Sequence, residues 1–304
     1  ITGRIVMQPY RIQTGRRLGK EGKRRPVLVF LIWVVKNGVF VYGRYRGHFI
    51  NMKKTIQNKI EQLLSKEYHC SPEELKKSGT VYSIKPDAER PYIKILAYKN
   101  CVLVCTSKDW YTKVKTLLLN RSKDEIFELP FVYGQTIHYI PDISDGGYAG
   151  NGSMARGYVC RYIEGKDILQ LNGLKGFENS LAFDDKGLTP TKAVFIAKRD
   201  NRIIGVAGAA ESSVEDVWEV GVDVAEDYRN AGLGTYLVRG LTGELLARGI
   251  VPFYSASVTN IASQMTAYRC GYKPFWIDTF GTTLDGSSVY NDIVKNLTYE
   301  ESAG

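Results

Sequence analysis

What this 304-residue chain lacks excludes several chemistries at once. Its three histidines (His48, His69, His138) lie far apart. Its five cysteines (Cys70, Cys101, Cys105, Cys160, Cys270) are odd in number, and none forms a Cys-x-x-Cys pair. A zinc site or a disulfide framework does not fit that spacing, so no metal is expected. Such cysteine usage suits a reducing compartment, and the expected localisation is cytoplasmic. Cys101 and Cys105 fall four apart on one face of an expected strand, where buried structural thiols are a plainer reading than catalysis. Gly-Lys-Ser/Thr is absent, which removes the P-loop. Nor does the apolar run at 27–35 reach the about 20 residues of a membrane helix, because Lys36 stops it after nine.

Charge of one sign is missing from most of the chain as well. The net charge of +9 suggests a polyanion partner until it is located. Residues 1–51 carry eleven Lys/Arg and one Glu, leaving 30 basic and 31 acidic residues in 52–304. That remainder is close to neutral, so neither nucleic acid nor a membrane surface is an expected partner. The basic leader has the charged and apolar regions of a signal peptide but no small-residue cleavage site after them. It is read as a non-native or disordered extension, with a membrane-proximal anchor and a structured strand as alternatives. Met52 looks like a natural start.

A chain of this length is expected to hold two domains. Residues 52–143 read as a small α+β unit. A helix is expected over 55–64, and a helix start at Ser71-Pro72-Glu73-Glu74, where serine caps, proline opens and acids meet the positive dipole end. Strands follow at 80–84, 92–98 and 102–106, then a helix near 110–120. The glycine-rich stretch 144–154 is an expected linker, with a substrate lid as its alternative.

The second unit, 155–304, carries the readable chemistry. Two apolar runs, 192–198 and 203–210, are joined by Arg199-Asp200-Asn201-Arg202 as a hairpin. Residues 217–224 then alternate, with Trp218, Val220, Val222 and Val224 on one face and Glu219, Gly221 and Asp223 on the other. This strand runs into Arg229-Asn230-Ala231-Gly232-Leu233-Gly234-Thr235, from which a helix departs with Leu237, Val238, Leu241, Leu245 and Leu246 at helical spacing. Four backbone N–H groups at a helix N-terminus lack intrahelical partners, and the helix dipole adds about half a positive charge there. Such a turn suits a pyrophosphate, and glycines let phosphates approach the backbone. The third small residue of a dinucleotide fingerprint is missing, since Leu237 stands in its place. A strand at 252–257 and a helix at 260–269, stopped by Gly271, complete the order.

Arg-x-x-Gly-x-Gly between strand and helix, in this order of elements, resembles the coenzyme-A-binding signature of the Gcn5-related N-acetyltransferases (GNAT). The resemblance covers roughly 155–300 and is sharpest over 217–272. It implies a GNAT fold of the α/β (α+β) class, a mixed central sheet flanked by helices, as in bacterial members with a divergent N-terminal domain. It also implies acetyl-CoA as acyl donor and a small-molecule amine as acceptor, and a homodimer is one assembly open to such a chain. Residue by residue, it implies that the backbone of Val222 and Val224 meets the pantetheine arm. The amides of Arg229, Asn230, Ala231, Gly232, Leu233, Gly234 and Thr235 would hold the pyrophosphate. Asn260 matches an asparagine that contacts the cofactor, with helix capping as the plain alternative, and Ser263 is placed with it.

Acetyl transfer needs a base near the amine and a proton for the leaving thiolate. Glu219 is the first candidate base, where many family members place a glutamate; Glu211 and Asp223 are the fallbacks, and a solvated strand residue is the alternative role. The family's usual tyrosine position is Ala267 here. Tyr268, one residue and about 100° further round the helix, is the nearest tyrosine, with Ser263 and Tyr254 as other candidate acids. Acceptor-binding residues are expected in 167–185, in 257–260 and after Trp276. Phe177, Phe183 and Trp276 suit either that pocket or the core. Two readings besides the transferase remain at this point: a domain that binds acyl-CoA without turnover, and an adaptor acting through the basic leader.

Overall fold

In the computed structural model, the backbone is described for residues 29–35, 38–44 and 46–283, except positions 90, 130–131, 133, 144–156 and 281; side chains are described from Met52 to Phe280. The chain divides into two compact units, 1–55 and 56–304. In the first, β1 (Val29–Val35) and β2 (Gly38–Arg44) pair antiparallel, from Val29↔Arg44 to Val35↔Gly38. The apolar run of the leader therefore forms one arm of a hairpin. Residues 1–28 lie outside the described residues.

The helix expected at 55–64 is longer: α1 runs Arg46–Glu67, and Ile56, Ile60, Leu63 and Leu64 recur on its buried stripe. The serine-proline start leads only to a single 3-10 turn, Glu74–Lys76, although Ser71 and Glu74 do exchange capping hydrogen bonds. β3 (Gly79–Lys85), β4 (Tyr92–Tyr98) and β5 (Cys101–Ser107) follow, then α2 (Tyr111–Leu117) and α3 (Lys123–Phe127). Ser122 and Glu125 form a capping box at the start of α3.

β6 (Thr136–Pro141) and β7 (Val159–Glu164) precede the hairpin of β8 (Thr191–Arg199) and β9 (Arg202–Glu211). β10 (Val217–Val224) leads to α4 (Leu233–Ala247), β11 (Val251–Ser257), α5 (Ile261–Arg269), β12 (Tyr272–Asp278) and the short β13 (Thr282–Thr283). All but β1 and β2 join one mixed sheet in the order β3-β5-β4-β12-β6-β11-β10-β9-β8-β7, with β13 on β4. The pairs β3–β5 and β10–β11 are parallel. The boundary expected at 144–154 falls on residues outside those described, while β6, from before it, pairs with β11 and β12 from after it.

Side-chain alternation gives the sheet two dressed faces. Val220, Val222 and Val224 lie on the face that α4 covers, where Leu233 and Leu237 pack at Gly205. Glu219, Gly221 and Asp223 lie on the other face. There the segment 165–181 closes over Val194, Ile196 and Val206 with Ile168, Leu171, Phe177 and Leu181. Further along the same face, α1 brings Tyr68 against Asp278 and Glu61 against Tyr98. Cys101 and Cys105 sit buried in β5, where burial pushes the Cys101 thiol up to about 11.

Candidate functional site

β10 and β11 pair only from Val217↔Val251 to Val220↔Tyr254, although β10 continues to Val224 and β11 to Ser257. Beyond that point the two strands part, and each stays paired on its outer side, β10 with β9 and β11 with β6. The gap is thus a wedge between two strands whose inner edges have left the ladder. Released carbonyls need other partners. Val222 O accepts from Asn179 Nδ2 at 3.2 Å and Val224 O from Arg229 Nε at 3.0 Å. Each carbonyl keeps a second lone pair.

A cavity of about 1070 Å³ occupies the wedge. At its mouth Gly232 stands in the cap position before α4; its φ of 81° is left-handed, and a Cβ there would meet no atom within 4 Å. Asn230 is left-handed too, with φ 61°. Gly232 carries no side-chain cap, so the first amides of α4 are left to water or to a ligand. Arg229 and Arg269 border the same cavity and add positive charge. The amides and arginines make this mouth suited to an anion.

Of the residues expected from sequence, Val222, Val224, Arg229, Asn230, Gly232, Leu233, Gly234, Thr235, Asn260 and Ser263 border the cavity. Ala231 is exposed beside it, within the same turn. Asn260 caps α5, its Oδ1 accepting from Ser263 N at 3.0 Å, so capping and cavity lining coincide in one residue. Glu219 also borders the cavity and is exposed. Asp223 is engaged otherwise: its Oδ2 accepts from Ser180 N at 2.7 Å and Ser180 Oγ at 2.8 Å. Glu211 lies outside the lining and reaches Lys192 at 3.9 Å.

Tyr268 is 70% exposed and does not border the cavity. The undistorted turn of α5 buries Ala267 and points the next residue outward. Tyr254 does reach the cavity, from β11 on the α4 side, with its Oη 2.8 Å from Ser263 Oγ. Burial pushes its phenol above the ordinary value, so it holds its proton. Phe177 and Trp276 are core residues, and Phe183 packs on the core without lining the cavity. From 167–185, the cavity is bordered instead by Glu178, Asn179, Ser180 and Ala182.

Sequence reading missed how that segment reaches the sheet. Gly208 and Gly221 face it so closely that a Cβ would meet Ser180 O at 1.7 Å and Asn179 O at 2.2 Å. The signal was present as a glycine within each of two apolar strands, a mark of close backbone approach. Among the described residues there is no group of three or more His, Cys, Asp or Glu that could hold a metal ion, and no helix is long and apolar enough to cross a membrane.

The strand–turn–helix geometry around this wedge agrees with what comparison with known proteins finds. Residues 167–272, about a third of the chain, match the Acetyltransferase (GNAT) family. The matched family is one of acyl transfer from acetyl-CoA. Among solved structures, a GNAT-family protein from Novosphingobium aromaticivorans is similar at 19% identity, covering 48% of this chain and 63% of that one, with a TM-score of 0.37. A GNAT-family acetyltransferase from Colwellia psychrerythraea is similar at 12% identity over 84% of this chain and 81% of its own, TM-score 0.40. The ribosomal-protein-S18-alanine N-acetyltransferase of Escherichia coli shares 15% identity over 44% of this chain and 99% of its own, TM-score 0.30. This chain thus spans less than two thirds of the Novosphingobium protein's length. No curated protein matches it.

Proposed function

We propose that the chain transfers an acetyl group from acetyl-CoA to a primary amine of a small molecule, by direct attack within a ternary complex. The observation that carries this reading is the wedge, whose inner strand edges end at a helix N-terminus. A linear donor with amides along its arm and a diphosphate at its end matches both features. The arm adds to the free edge of β10 at Val222 and Val224, as an extended peptide adds to a sheet edge. The diphosphate lies on the amides of 229–235, with Asn260 and Ser263 flanking the arm from α5.

The acceptor amine approaches from the face of Glu219, between β10 and the 178–182 segment. Glu219 takes its proton as general base. On the opposite side of the wedge, the Tyr254 hydroxyl, held by Ser263, donates to the leaving thiolate in place of the outward-facing Tyr268. The test is calorimetric titration with acetyl-CoA, followed by thiol release with a panel of primary amines. Glu219→Gln should lower turnover about a hundredfold or more while leaving donor affinity unchanged, as expected for loss of a general base. An undiminished rate in that variant removes Glu219 from the chemistry, and no saturable binding of acetyl-CoA removes the whole reading.

A further inference from the structure

Three residues on three neighbouring strands form a hydrogen-bonded chain that ends in the cavity. Ser255 Oγ on β11 lies 2.8 Å from His138 Nδ1 on β6. His138 Nε2 lies 2.9 Å from Asp278 Oδ1 on β12. Register explains the alignment: Ser255 pairs with His138, His138 with Trp276, and Asp278 stands two residues beyond Trp276 on the same face. That face is also the face of Glu219, since Glu219 pairs with Phe253, two residues before Ser255. Ser255 and Glu219 border the same cavity.

The chain has a direction. Asp278 is 6% exposed. Burial opposes its ionisation, but the hydrogen bond from His138, the charge of that ring when protonated, the charge of Lys94 and the hydrogen bond from Tyr68 outweigh that and hold the carboxyl below its usual value. An ionised carboxylate only accepts, so His138 Nε2 carries a hydrogen. Whenever the ring is uncharged, Nδ1 then has a lone pair alone, and the Ser255 hydroxyl donates to it. The ring is fixed by stacking on Trp276, with centroids 4.4 Å apart and planes 3° from parallel.

We infer that Ser255 is a catalytic group, which takes a proton from the attacking nucleophile and passes its own to His138, with Asp278 positioning the ring. This rests on the transferase reading above. As the nucleophile's nitrogen bonds to the acetyl carbon, its N–H proton moves to Ser255 Oγ, the C–S bond breaks, and the departing thiolate of coenzyme A takes a proton from Tyr254 Oη. The Ser255 hydroxyl proton moves to His138 Nδ1, and the imidazolium formed is balanced by the Asp278 carboxylate. No electrons are exchanged and no further reactant is needed. The proton leaves for solvent after product departs. Glu219 then serves the acceptor's first deprotonation, from ammonium to amine, and Ser255 the second.

Protein labelled with ¹⁵N at its three histidines tests the direction of the chain. His138, identified by loss of its signals in His138→Gln, should show a protonated Nε2 and an unprotonated Nδ1, and Ser255→Ala should move the Nδ1 resonance. Thiol release from acetyl-CoA is then measured with hydrazine as acceptor. Ser255→Ala and His138→Gln should each lower the rate about a hundredfold, the lower end for a general acid–base group, with an unchanged Kd for acetyl-CoA by calorimetry. A protonated Nδ1 in the neutral ring, an undiminished rate, or a donor Kd weakened in parallel with the rate overturns the inference. Failure of the wild type to bind acetyl-CoA is a separate result, and it overturns the transferase reading together with the relay.

Discussion

Two ladders of one sheet end differently. β4 and β5 pair from Ile93↔Thr106 to Tyr98↔Cys101, and every residue of β5 is buried. β10 and β11 pair only as far as Val220↔Tyr254, and from Gly221 on β10 is half-buried. In the closed ladder the strands stay paired along their shared length and the side chains of β5 are buried, so substitutions there act on stability. In the open one the backbone edge borders the cavity, and on the proposed reading side-chain identity there matters less than the absence of a side chain at the mouth. The comparison separates what holds the sheet from what the sheet presents.

The largest effect that would break this contrast is Gly232→Glu. A bulky negative charge at a left-handed turn facing open space should abolish acetyl-CoA binding in calorimetry, with the thermal transition little changed. Retained binding would displace the diphosphate from this turn. Leu103→Ala in β5 should do the reverse: about 2–5 kcal/mol lower stability in urea, from a fully buried side chain, with donor affinity unchanged. Gly208→Ala sharpens the contrast from the acceptor side. Its Cβ would overlap Ser180 O, so about 1–3 kcal/mol of stability should be lost along with a change in acceptor KM, read by denaturation and steady-state kinetics. Tyr268→Phe should change neither stability nor turnover measurably, because that side chain points to solvent; a clear loss of thiol release would restore it as the general acid.

The local pattern of the second unit was legible because its signals are local. Strict alternation set β10 at Val217–Val224, and the leucine spacing with Gly249 set α4. Asn260 as a cap followed from its place before a helical run. Periodicity did not reveal β6, β7 or β12. β12 holds Pro274 and an irregular register beside it, and β6 alternates weakly, with its first three residues half-buried. Those two strands carry His138 and Asp278, which lie 140 positions apart in the chain. Likewise, the serine-proline start at Ser71 had the right capping chemistry but only one turn of helix after it, since β3 begins at Gly79.

Sequence alone determined the glycine turn that opens α4, because a turn at a helix N-terminus is made by consecutive residues whose conformations are set locally. It also determined which face of β10 carries Glu219, since alternation requires no partner. Tertiary structure decided where the β10–β11 ladder stops, which tyrosine meets the cavity, and that a serine, a histidine and an aspartate from three strands form one chain of hydrogen bonds. Strand order and register bring those residues together, and both are set by how the whole sheet packs rather than by any short stretch of residues.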